Sequence, residues 1–243
     1  MINPMPLDLF TLLESFAVVF LGAVVQAATG LGAGLLIVPF LALINIEFVP
    51  GPVIFASLAL SYLMAYRGRK SISTQQLGTL FIGLVAGMGA GTILLSAISL
   101  DRIGIVFGFC ILGAVLISAF VKNFQFTPTH KLLAGTLAGL MGTTAAIGAP
   151  VLAMLYQFEE GKVIRATLGL LYFISSVLML VFLHLAGHFD YADMILGIYL
   201  IPGFIFGYLI AGKVAHFVDR GYARPAVLVI SAISASVLII KNM

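Results

Sequence analysis

Long, unbroken apolar runs organise this chain. A helix that crosses a membrane needs about 20 apolar residues, and runs of that kind fall at roughly 9–28, 49–66, 77–98, 102–121, 164–184, 192–212 and 222–241. These seven predict spanning helices. Two further apolar pieces, near 33–46 and near 149–157, are too short to cross alone, and each adjoins a stretch rich in Gly and Thr. They read as arms of broken helical hairpins.

The first break runs Gln26-Ala27-Ala28-Thr29-Gly30-Leu31-Gly32-Ala33-Gly34 and on to Pro39; the second runs Gly139-Leu140-Met141-Gly142-Thr143-Thr144-Ala145-Ala146-Ile147-Gly148-Ala149-Pro150. Each sets glycines and threonine ahead of a proline, and the structural breaks are assigned to Pro39 and Pro150, 111 positions apart. After each hairpin come three spanning runs, ending near 121 and near 241. This order predicts a duplication inside a single transmembrane domain over 1–243, with repeat one at about 7–122 and repeat two at about 130–242.

Composition agrees with a lipid solvent. Hydrophobic residues make up 62% and charged residues 9%, against roughly 25% charged in a soluble domain, and the mean hydropathy is +1.19. The predicted fold class is an all-α integral membrane protein, a polytopic helical bundle. The net charge of +3 comes from residues scattered in short loops, never in a run, which excludes nucleic acid as a partner. Cys110 is the one cysteine, so an internal disulfide is excluded and a packed core thiol is expected. Asp8 and Glu14, with no Lys or Arg before the first apolar run, do not make the basic start of a cleavable signal peptide, so the first helix is expected to stay.

The basic residues report orientation. If the loop holding Arg67, Arg69 and Lys70 is cytoplasmic and each clear run crosses once, then Lys122, Lys131, Lys162, Arg165, Lys213, Arg220 and Arg224 also lie inside. Only Arg102 and Lys241 fall outside, so ten of the twelve basic residues obey the positive-inside rule. In this solution the first hairpin starts and ends outside and the second starts and ends inside, so the two repeats are inverted. Glycines at four-residue spacing (Gly83, Gly87 and Gly91; Gly135 and Gly139; Gly104 and Gly108; Gly203 and Gly207) predict close helix contacts.

Backbone groups freed at a helix break cannot face lipid, so the two breaks should be buried or line a watered cavity. Helix amino termini there favour an anion, because free N–H donors and the helix dipole both carry positive character. Gly30, Gly32, Gly34, Gly142 and Gly148 would let amides approach a ligand, and Thr29, Thr143 and Thr144 would add hydroxyl donors. The competing reading is that the glycines only permit close helix crossing. A nucleotide fold is excluded for Gly30, Gly32 and Gly34, since no strand precedes them, and no cofactor is expected. His184 and His188 flank a loop without further ligand spacing, so no metal is expected. Glu14 is a candidate for proton coupling or merely an interfacial acid, and Glu159 and Glu160 read as a wet loop. Arg165 is either a topology anchor or an attractor of anions at the cytoplasmic mouth.

The stretches Thr29–Pro39, Gly139–Gln157 and Ile164-Arg165-Ala166-Thr167-Leu168 resemble the TauE/SafE sulfite-exporter family over essentially the whole chain. Gln157 and the following Arg165 are the most specific part; Ala33 and Ala149 stand where that family often has glycine. The resemblance implies a bacterial-type inner-membrane transporter of sulfite, sulfoacetate, thiosulfate or sulfonates. The candidate substrate-binding set is Gln26, Thr29, Gly30, Gly32, Gly34, Gly142, Thr143, Thr144, Gly148, Gln157 and Arg165. The expected partners are a small anion and the lipid bilayer, with a homo-oligomer left open. An enzyme is not expected, since neither His-Glu-x-x-His nor Gly-x-Ser-x-Gly occurs. A channel and a membrane scaffold remain as alternatives to a secondary transporter.

Overall fold

The computed structural model describes residues 8–30, 32–73, 77–99, 102–120, 127–156, 158–218 and 223–242. Among them are ten α-helices and no strand: α1 Leu9–Thr29, α2 Gly34–Ile44, α3 Gly51–Gly68, α4 Leu77–Ala97, α5 Ile103–Phe120, α6 Pro128–Ala145, α7 Ala149–Met154, α8 Gly161–Leu185, α9 Tyr191–Val218 and α10 Ala223–Lys241. The seven long apolar runs all fall on helices, and the two short pieces are α2 and α7. Five helices, α1, α4, α5, α8 and α9, are long and apolar enough to cross a membrane. This is a multi-pass membrane protein.

Local signals set the helix ends. Asp8 caps α1, accepting the Thr11 N–H at 3.1 Å, and hydrogen bonds from the Thr11 side chain and backbone hold its carboxyl below the usual carboxylate value. Thr127 caps α6 with Pro128 in its first turn. Helix α1 ends because Gly30 turns left-handed, with φ 79°, and its N–H closes on the Gln26 carbonyl at 2.7 Å.

The first break is therefore at Gly30 to Ala33, and Pro39 lies inside α2 instead of marking it. A proline within a helix leaves the carbonyl four residues earlier without its donor, here Leu35. The Ser231 hydroxyl of α10 reaches that carbonyl at 2.6 Å, while lying equally close to the Val227 carbonyl of its own helix. Pro150, by contrast, sits in the first turn of α7, where its missing N–H costs nothing.

Glycines decide which helices touch. In the α4–α6 pair, a Cβ at Gly83, Gly87 or Gly91 would strike the carbonyls of Leu132, Thr136 and Leu140 in turn, and Gly135 and Gly139 meet the Leu80 and Leu84 carbonyls in return. Contacts advance in the same direction along both chains, so these helices run parallel. Helix α9 lies on α1 in the same way: a Cβ at Gly207 would fall 2.7 Å from the Phe20 carbonyl, and one at Gly203 3.2 Å from that of Phe16. Two other pairs are antiparallel. In one, Gly68 of α3 meets Ala166 of α8 while Gly169 meets Met64 and Ala65; in the other, Gly104 of α5 meets Asn242, past the end of α10, while Gly108 meets Ile239. Helix α3 also packs on α9, and α2 packs on α10. The fully buried Phe48, Phe107, Phe204, Met88 and Ile147 fill the interior among these pairs.

Candidate functional site

The two breaks meet. A Cβ on Gly32 would run into the Ala149 side chain and lie 3.2 Å from its Cα, and one on Gly34 would lie 2.7 Å from the Ala146 carbonyl. Only bare backbone fits at that junction. The Ala33 amide closes the first turn by donating to Gln26 Oε1 at 2.7 Å. The second break turns on Ala146, a non-glycine residue at φ 57°, whose N–H donates to the Gly142 carbonyl at 2.8 Å. Gly148 tucks against the Ala138 carbonyl, and Gly142 against Met179, contacts that a side chain at either position would prevent. From α8, the Tyr172 hydroxyl lies 3.0 Å from the Gly30 carbonyl and 3.1 Å from the Ala149 carbonyl, so one side chain ties both breaks.

Beside this junction lies a central cavity of about 70 Å³. Its polar lining is Gln26 from α1, Ser57 and Ser61 from α3, and Tyr172, Ser175 and Ser176 from α8, with Ile37, Val53, Leu152 and Phe204 among the apolar walls. Among the described residues, no ionised side chain lines it. Ser57 bonds back to the Ile54 carbonyl at 2.8 Å, but Ser61, 1% exposed, and Ser175, 3% exposed, have no hydrogen-bond partner for their hydroxyls. Such a buried orphan costs about 1–3 kcal/mol, so both hydroxyls hold capacity for an occupant. Gln26, also in the lining, has its oxygen engaged by the Ala33 amide. Donors without nearby carboxylates suit an anion.

A family model described as sulfite exporter TauE/SafE matches residues 15–238. The chain belongs to this family. Neither the comparison with curated proteins nor that with solved structures gives a match. TauE/SafE membership makes the chain a membrane transporter of the exporter type for anionic sulfur compounds. It places the protein among transporters and not enzymes.

Of the expected substrate-binding residues of this TauE/SafE chain, Gln26, Gly34, Gly142 and Gly148 line the central cavity. Gly30 and Gly32 sit at the junction but face packing neighbours: Gly30 lies under Ile164 and Leu168, and Gly32 under Ala149. Thr29 and Thr144 bond back to the Val25 and Leu140 carbonyls at 2.8 and 2.6 Å, and Thr144 faces Gly91 of α4. Thr143 is fully buried with its hydroxyl unpartnered, yet it is not among the cavity's walls. Gln157 lies outside the described residues. Arg165 is on the far side of the junction, donating to the Ala28 carbonyl at 3.2 Å.

The serines and Tyr172 are the residues that sequence reading passed over. Their signal was present: Ser57 and Ser61 are one helical turn apart, and so share a face, in an otherwise apolar run, while Ser175-Ser176 sits mid-run one turn beyond Tyr172. At the other end of the bundle, His188 Nε2 lies 2.8 Å from Ser96 Oγ, and His184 Nδ1 2.9 Å from the Phe189 carbonyl. Both histidines serve loop contacts, and Glu14 lines neither of the cavities described for this chain.

Proposed function

We propose that the protein is a secondary transporter that exports a compact sulfur-containing oxyanion, such as sulfite or thiosulfate, from a site in the central cavity. The observation that carries this reading is the pair of buried, unpartnered hydroxyls of Ser61 and Ser175 in the cavity that Gln26 also lines. On a scale of about 10–15 Å³ per water, the cavity of about 70 Å³ holds about five heavy atoms. That suits sulfite or thiosulfate better than sulfoacetate or longer sulfonates.

The pairing of helices supports two inverted repeats, α1–α5 and α6–α10. Exchanging the repeats turns the parallel α4–α6 pair into α9–α1, also parallel and also built on glycines of the repeat's fourth helix, and turns α3–α8 and α5–α10 into themselves. In this reading the hairpins enter from opposite faces of the inner membrane, and rocking of the paired helices alternates access to the site. Export fits the energetics. A potential of about 100 mV, negative inside, contributes about 2.3 kcal/mol per monovalent anion, enough for roughly a fiftyfold outward gradient without a coupling ion.

The test is thermal stabilisation of the purified protein by a panel of sulfite, thiosulfate, sulfoacetate, taurine, sulfate and chloride, repeated with Ser61→Ala/Ser175→Ala. A shift given by one small sulfur oxyanion and lost in the variant supports the site. No shift from any of them in folded protein counts against it, and unitary currents after reconstitution would replace the carrier by a channel.

A further inference from the structure

A second cavity, of about 420 Å³, lies against Ala27 and Ala28 in the last turn of α1, just before the first break. Arg67 at the end of α3, Ser71 in the turn that follows it, Lys162 and Arg165 in the opening turns of α8, Ala27 and Ala28 of α1, and Tyr208 of α9 are among its walls. Among the described residues three cations line it and no carboxylate does. None of Arg67, Lys162 and Arg165 has an ion-pair partner among the described residues; the acids nearest in sequence, Glu159 and Glu160, are exposed in the loop before α8.

Two of these charges stand where a helix least wants them. The amino-terminal end of a helix carries about half a positive charge, so cations there are disfavoured by its dipole, yet Lys162 and Arg165 both occupy the opening turns of the 25-residue α8. Arg165 does compensate the carboxyl end of α1 through Ala28. Lys162 has no such partner among the described residues, and Arg67 adds a third charge from across the cavity. Helix end and side chains together concentrate positive potential in a space about six times that of the central cavity.

The geometry points to this vestibule as a second anion site, which takes a tetrahedral oxyanion group before the central cavity does. It rests on the transport reading for its purpose, but not for its chemistry: Arg67, Lys162 and Arg165 hold the oxygens, Ser71 offers a hydroxyl, and the amides opening α8 lie at the same end. The same chemistry would seat either a free anion, thiosulfate or sulfate, or the phosphate of an anionic lipid. As Arg165 also holds the last turn of α1, an anion that draws the guanidinium away loosens the first break from the vestibule side.

The experiment is equilibrium binding of thiosulfate, by titration calorimetry, to the detergent-solubilised full chain carrying Ser61→Ala/Ser175→Ala, so that the central cavity is disabled. Saturable binding that weakens about tenfold on adding Arg67→Gln and Lys162→Gln, and that becomes less dependent on ionic strength, is the expected result. Both residues are exposed, so the added substitutions leave the core intact. Repeating the titration with added phosphatidylglycerol identifies the source: competition assigns the site to a lipid phosphate, and no competition assigns it to the free anion. Absence of binding, or binding indifferent to the two Gln substitutions, overturns the vestibule. If the vestibule binds while the protein with its serines intact shows no flux of any sulfur oxyanion, the transport reading fails and the anion site stands.

Discussion

The two breaks solve the same problem with different residues. The first turns on Gly30, free to take a left-handed φ of 79°, and passes through Gly32 before the eleven-residue α2 begins; the second turns on Ala146 at φ 57° and leads into the six-residue α7. A left-handed alanine costs about 1–2 kcal/mol that a glycine does not. The second break therefore holds strain, and it is held in place by Gly142 and Gly148 packing against Met179 and Ala138. The first is conformationally relaxed and is held by side-chain bonds, from Gln26, Tyr172 and Arg165. Both share the Tyr172 hydroxyl, and beyond it one turn is fixed by packing and the other by polar ties.

Substitutions can break this contrast in order of size. Gly32→Leu should have the largest effect, since it forces the two tips apart: about 3 kcal/mol of destabilisation, with loss of anion-dependent thermal stabilisation. Tyr172→Phe removes the one hydroxyl shared by both breaks and leaves buried carbonyls without it, which costs about 1–3 kcal/mol. Proteolysis at Gly30 and Ala149, followed over time, should accelerate in that variant. Gly30→Ala puts a Cβ at a left-handed φ, 3.1 Å from Ile164, and should lower stability by about 1–2 kcal/mol in a denaturation series. Ala146→Gly is the mirror experiment and the smallest effect, a gain of about 0.5 kcal/mol once glycine's own entropy is subtracted. If Ala146→Gly destabilises as much as Gly30→Ala, the second break is not strained.

The sequence made the architecture readable because lipid imposes a length on apolar runs, and seven of the ten helices were marked by that length alone. Helix α6 was harder to see as a full helix. Thr129, His130 and Lys131 open it, and Thr136, Thr143 and Thr144 dilute its hydropathy, although Gly135 and Gly139 already predicted a close helix contact, without its partner. At the site, the glycines located the junction but the threonines misled. In a helix a threonine hydroxyl readily satisfies itself on the carbonyl four residues back, and Thr29, Thr92, Thr136 and Thr144 all do so. Which hydroxyls stay free depends on the space in front of them, and that space is made by α3 crossing α8. No local pattern around Ser61 or Ser175 contains it. Pro39 misled for a related reason: the donor that compensates Leu35 comes from Ser231, 196 residues away.

The glycine-lined pairs also say how the molecule can deform. Where Gly83 and Gly87 lay backbone on backbone against α6, no side chain lies between to act as a cushion, and where Gly207 meets α1 only the small Ala23 methyl does. Each long hairpin arm is thereby fastened to a helix from the other half of the chain. In mechanical terms these are two stiff struts, α4 with α6 and α1 with α9. Any motion that exposes the central cavity must carry a strut as a unit, and the give must come from the short arms α2 and α7.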